Sequence, residues 1–102
     1  MKDTTITEIV TFRVPETVTD EQVLDGAGAL LEFQSRLDGF IDAELVKENS
    51  GHAWCFVYHF QSMEKADAMR PELMRSKPLE KLVSLAVPGS LQVVFYRQMK
   101  KW

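Results

Sequence analysis

The sequence predicts an α+β domain with the element order β-α-β-β-α-β. Three observations carry that prediction. Residues 5–14, 40–47, 52–60 and 91–99 are rich in β-branched and aromatic types, and their apolar positions alternate as a strand requires. Residues 20–37 instead repeat apolar positions near every 3.6 residues, the mark of an amphipathic helix. A second helical stretch after Ser62 separates the third strand from the fourth, which completes the split βαβ order.

In the first strand, Val10, Phe12 and Val14 share one face, and Ile9, Thr11 and Arg13 share the other. Pro15 ends it, because proline has no N–H for the ladder. Thr19-Asp20-Glu21-Gln22 is a capping box, with Thr19 as N-cap and Gln22 reaching back, and Asp20 and Glu21 sit where the helix dipole favours acids. Val23, Ala27, Leu30, Leu31, Gln34 and Leu37 form the apolar stripe, and Gly39 is a C′ residue ending the helix. Gly26 and Gly28, inside this helix, are expected where it packs closely on the sheet.

Residues 40–47 are the second strand, on an edge. A turn at Glu48-Asn49-Ser50-Gly51 leads to the third strand. There Trp54, Phe56, Tyr58 and Phe60 occupy one face, and Ala53, Cys55, Val57 and His59 the other. Both rows are mostly apolar, so this strand is expected to be central and covered on both sides. Ser62 caps the next helix. Pro71 and Pro78 are expected to divide it into pieces at 63–69, 71–75 and 78–86. Lys100-Lys101-Trp102 is read as an extension of the fourth strand.

The 102 residues fit one domain, 1–102. With 45% hydrophobic and 26% charged residues and a net charge of −3, the composition is globular and argues against a nucleic-acid partner. Cys55 is the single cysteine, so no internal disulfide forms. The Met1–Thr5 segment lacks an apolar leader core, and no apolar run reaches membrane-span length. The expectation is a cytoplasmic protein with no membrane association.

Two helices cover only one face of a four-stranded antiparallel sheet. An apolar second face marks an interaction surface, and a two-fold related copy is the simplest cover. A homodimer formed sheet against sheet is therefore expected. Judged by size, the small row of the third strand belongs under the helices and the bulky row between the two sheets.

Three segments carry a family resemblance: Val14-Pro15-Glu16 before the first helix, Asp38-Gly39-Phe40 entering the second strand, and Tyr58-His59-Phe60-Gln61-Ser62-Met63-Glu64-Lys65-Ala66. On these, most of the chain resembles the dimeric α/β-barrel superfamily of ferredoxin-like domains, in particular those of the antibiotic-biosynthesis-monooxygenase type. The resemblance implies a dimer closed into an α/β barrel. It also implies a ligand cavity, either between helices and sheet or within the barrel. That family includes cofactor-independent oxygenases, haem-degrading enzymes, isomerases and decarboxylases, and a shared fold does not transfer activity. The haem-degrading pattern of Asn on strand one, Trp ending strand three and His on helix two is not met. Phe60 stands at the Trp position, Asn49 is the single Asn, and no His follows His59.

Candidate site residues follow. His59 is a potential general base, since imidazole titrates near neutrality, and Tyr58 a potential catalytic hydroxyl. As strand neighbours they point to opposite faces unless a bulge intervenes. Trp54, Phe56, Phe60 and Tyr96 are candidates for lining a ligand pocket. Arg13 is a candidate for an anionic group, or for pairing with Glu44. Asp42 and Glu44 share a face of the edge strand, where charge discourages unwanted pairing. His52 and His59 with one cysteine fit no metal spacing, and Gly26-Ala27-Gly28 lacks the strand that a dinucleotide loop needs. No cofactor is implied. His52–His59 follows the strand-three motif of RNA-recognition domains only in part, without its basic lead, its Gly or its final aromatic.

Three functional readings remain. One is a homodimer binding a small hydrophobic or aromatic ligand. Another is a cofactor-independent monooxygenase or isomerase acting on an aromatic or quinol-type molecule. The last is a structural or regulatory dimer with no ligand.

Overall fold

Residues 4–102 are described by a computed structural model; the Met1–Asp3 part of the segment read for a leader lies outside them. The elements are β1 (Ile6–Arg13), α1 (Asp20–Gln34), β2 (Phe40–Lys47), β3 (Ala53–Phe60), α2 (Met63–Met74), α3 (Lys77–Leu85) and β4 (Gln92–Arg97). The four strands form one antiparallel sheet in the order β2-β3-β1-β4, with all helices on one face. β3 is interior and β2 is an edge, as the apolar and charged patterns require.

The β1–α1 connection is a tight turn closed by Val18 N–H donating to the Pro15 carbonyl at 2.9 Å. The capping box is complete. Thr19 Oγ1 accepts from Gln22 N–H at 3.1 Å, and Gln22 Oε1 accepts from Thr19 N–H at 2.8 Å. α1 stops at Gln34, short of residue 37. Arg36 and Leu37 N–H donate to the Phe33 and Gln34 carbonyls, tightening the chain into i→i+3 turns. Gly39 follows these turns rather than capping the helix directly. Its φ is +97°, and an added Cβ would lie 2.5 Å from Lys65 Cβ, so both conformation and space require glycine.

Gly26 meets α3, not the sheet: an added Cβ would sit 3.3 Å from Leu82 Cδ1. Gly28 faces open space, and nothing in the structure explains it. Pro71 does not break α2, which runs unbroken to Met74. Pro71 and Asp67 both lie on the exposed side, so the carbonyl that loses its donor is left to water rather than orphaned in the core. Pro78 stands in the first turn of α3, after the Ser76 cap, where proline fits. The C-terminal tail does not extend β4, which ends at Arg97.

The largest correction concerns the two rows of β3. Trp54, Phe56, Tyr58 and Phe60 are all buried beneath the helices. Ala53, Cys55, Val57 and His59 face the open side. The size argument fails because α1 and α2 contribute mainly small or slender residues to the core: Val23, Gly26, Ala27, Leu30, Ala66 and Met69. Filling the roughly 10 Å between layers at interior density then needs rings from the sheet. The rings form a continuous stack, Phe12–Phe56–Tyr58–Phe60, with centroid separations of 5.8, 5.2 and 5.7 Å. Phe40 meets Phe60 edge-on at 6.2 Å. Such pairs contribute about 0.5–1.5 kcal/mol each beyond burial.

Candidate functional site

Strand register decides which side chains enter the space under the helices. Glu8 lies directly opposite Tyr58 on β3 and Phe95 on β4. It shares its face with Ile6, Val10 and Phe12, so a carboxylate stands in an otherwise apolar row. Beside it is a cavity of about 360 Å3 between the β3-β1-β4 part of the sheet and all three helices. That volume is at the small end of the range for organic ligands.

The cavity walls are predominantly apolar. They include Val10, Phe12, Phe56, Leu30, Leu73, Leu79, Leu82 and Phe95. The mouth lies between α2, α3 and the β4 edge, where Met74, Val83, Leu91 and Val93 are exposed. Four polar side chains reach this space: Glu8 from β1, Tyr58 from β3, Gln34 from α1 and Arg70 from α2.

These groups differ in state. Burial pushes the Glu8 carboxyl up to about 7, and the positive charge of Arg70 lowers it in part. Burial, with the Glu8 charge adding to it, raises Tyr58 so that the phenol stays protonated and can donate. Gln34 is 1% exposed, and its Oε1 has no hydrogen-bond partner. Arg70 pairs with Asp67 at 3.1 Å and stands 5.9 Å over the Phe95 ring, at the more open side.

The residues singled out from sequence are distributed over several places. Tyr58 and Phe56 line the cavity. Phe60 is in the core beyond it. Trp54 belongs to a separate depression of about 200 Å3 with Lys47, His52 and the start of α1. Its indole Nε1 is buried without a partner, and Lys47 Nζ stands 5.3 Å over the ring. His59 lies on the open face, where Nδ1 meets Asp42 Oδ1 at 2.6 Å. The bulge in β2 falls between Phe40 and Asp42; β3 itself keeps regular alternation, so His59 and Tyr58 remain on opposite faces.

Arg13 is exposed on the open face, opposite Ala53 and not paired with Glu44, which faces Val57. Tyr96 is 54% exposed, at the edge of a shallow groove with Met63 and Arg97. Burial raises the Cys55 thiol. Among the described residues, no three His, Cys, Asp or Glu side chains gather as a metal site, and no helix is long and apolar enough to cross a membrane. Sequence reasoning missed Glu8, Gln34 and Arg70 as site residues. Glu8 had a readable signal: it falls on the same strand parity as Val10 and Phe12.

Fold and cavity together define an α+β domain of the ferredoxin-like class with an apolar pocket between sheet and helices. It shares this fold with proteins of the antibiotic-biosynthesis-monooxygenase type. The cofactor-independent oxygenase SnoaB from Streptomyces nogalater superposes with a TM-score of 0.74 at 11% identity, covering 96% of each chain. A Bordetella bronchiseptica protein classed with the antibiotic biosynthesis monooxygenases gives 0.77 at 12% identity, over 96% of this chain and 100% of that one. A dimeric ferredoxin-like protein of unknown function from Thermobifida fusca gives 0.74 at 15% identity, over 94% and 92%. At these identities the likeness is one of fold. No protein-family model and no curated protein matches the chain.

Proposed function

We propose that this protein binds a small, largely apolar, ring-containing molecule in the sheet–helix cavity, and that it works as a homodimer joined through the open sheet face. The observation that carries the ligand reading is the 360 Å3 apolar cavity into which a few polar side chains converge. A structural dimer without a ligand would have no use for an unpartnered Gln34 Oε1 beside an unfilled space. Tyr58 and Phe56 act in this reading as wall residues. His59, Arg13 and Tyr96 belong to the open face and act at the interface between copies.

The dimer is supported by that face. Ile9, Cys55 and Val57 form its half-buried centre, flanked by exposed Val46, Val94 and Tyr96. The dimeric Thermobifida fusca neighbour shares the fold. A second reading, cofactor-independent oxygenation of an aromatic substrate, is favoured by one comparison, the fold shared with SnoaB.

Titration with 2-naphthol, followed by ligand fluorescence, tests the ligand reading. Saturable binding is expected, and Ala86→Phe, which projects a ring into the cavity wall, is expected to weaken it at least tenfold. Absence of saturable binding, or binding indifferent to Ala86→Phe, refutes it. Sedimentation of the intact chain tests the dimer separately.

A further inference from the structure

Glu8 is the one acidic side chain lining the cavity, and it makes no ion pair among the described residues. Holding a lone carboxyl in an apolar row is unfavourable for folding, and a hydrophobic residue of similar size would pack there at lower cost. Its cross-strand neighbour is a phenol that remains a donor, and across the cavity Gln34 offers an unused acceptor. An acceptor for a proton, a donor for a developing oxyanion and an anchoring acceptor thus face one water-poor space.

We propose that Glu8 and Tyr58 are an acid–base pair that enolises an apolar cyclic ketone bound in this cavity, making the protein an isomerase that shifts a double bond in unsaturated ketones of this kind. The inference rests on the cavity being a ligand site and deepens that reading. In the forward step, Glu8 takes the proton from the carbon next to the carbonyl. The C–H electron pair becomes the enolate double bond, and the carbonyl π pair moves onto oxygen. The Tyr58 hydroxyl donates a hydrogen bond to that oxygen. Glu8 then returns its proton to the same carbon, or to a conjugated carbon two bonds further along, which moves the double bond. The sequence is neutral in electrons and protons and needs no co-reactant. Gln34 Oε1 accepts from a hydroxyl or N–H elsewhere on the ligand and fixes its orientation.

A carboxylate poised near neutrality is suited to this work, because a fair fraction is ionised while its conjugate acid remains a competent donor. The charged or titratable groups facing Glu8 are Arg70 from α2 and Tyr58 from β3. β4, α1 and α3 bring Phe95, Gln34 and apolar side chains to the same space.

The test uses 2-tetralone, a bicyclic enolisable ketone, in D2O. Loss of its C1 proton signal reports exchange, and ligand shifts in the same spectra report binding. The intact protein is expected to accelerate exchange about 10²-fold over buffer, as positioned general bases do. The rate should rise with pH and level off above about 7. Glu8→Gln should return exchange to the buffer rate with binding kept within about threefold, Glu8→Asp should retain part of the rate, and Tyr58→Phe should lower it about tenfold. Far-ultraviolet circular dichroism confirms that each variant is folded. Equal exchange in Glu8→Gln and the parent, or buffer-level exchange by the parent while the ketone binds, overturns the isomerase and leaves the ligand site standing. Absence of any binding of 2-tetralone overturns both.

Discussion

Removing the charge of Glu8 should change how stability depends on pH, by an amount the structure sets. In the unfolded chain this carboxyl ionises near its ordinary 4.5, and in the folded chain near 7. Between those values the folded state holds the additional proton, so stability falls as pH rises through this window and is flat, as far as Glu8 is concerned, on either side. At about 1.4 kcal/mol per pH unit, the rise from 4.5 to about 7 corresponds to about 3 kcal/mol. The carboxyl opens toward the cavity mouth and sees Arg70, so solvent screening reduces this to about 1–2 kcal/mol. Glu8→Gln keeps shape and loses the charge. It should match the parent near pH 4.5 and exceed it by about 1–2 kcal/mol at pH 8, which is roughly 5–10 °C in Tm for a chain of this size. Urea unfolding followed by circular dichroism at pH 4.5, 6, 7 and 8 measures the difference. Parallel profiles for parent and variant would refute the claim that partial burial raises the Glu8 carboxyl.

Other perturbations probe different parts of the molecule. Phe56→Ala removes the middle of the ring stack and should cost about 3–5 kcal/mol, read from the urea midpoint. Gly39→Ala combines a positive φ with a Cβ driven onto Lys65 and should cost about 1–3 kcal/mol; a neutral result would mean that the β2 entry does not turn as described. Val57→Asp, at the centre of the open sheet face, should leave the secondary structure intact while shifting sedimentation from dimer to monomer. A parent chain that sediments as a monomer at high concentration would remove the basis for that reading.

How much could be read without coordinates depended on the range of the interaction. The capping box at Thr19 and Gln22, the Ser62 cap, the turn at Glu48–Gly51 and the bounds of β2 were legible, since each is decided within a few residues. The same holds for the position of β3 inside the sheet, which its two apolar rows require. The end of α1 and the passage of α2 through Pro71 were not legible. They turn on whether freed backbone groups meet water or core, and only the folded surroundings decide that.

The facing of β3 shows the division most clearly. Alternation alone separates Trp54, Phe56, Tyr58 and Phe60 from Ala53, Cys55, Val57 and His59, yet both rows are apolar enough to be inside. Their assignment depends on the volume that α1 and α2 leave unfilled, a property of two packed layers and not of one strand. The candidate site has the same character. Glu8 lies on a readable parity, but its meaning comes from Tyr58 and Phe95 across the sheet and from Gln34 and Arg70 above it. Those residues are up to 87 positions apart along the chain (Glu8 to Phe95), and strand register with helix packing brings them to one cavity. Local sequence therefore determined the elements and their order, while the tertiary structure decided which faces meet and where a carboxyl loses part of its water, because burial is a property of neighbours distant in the chain.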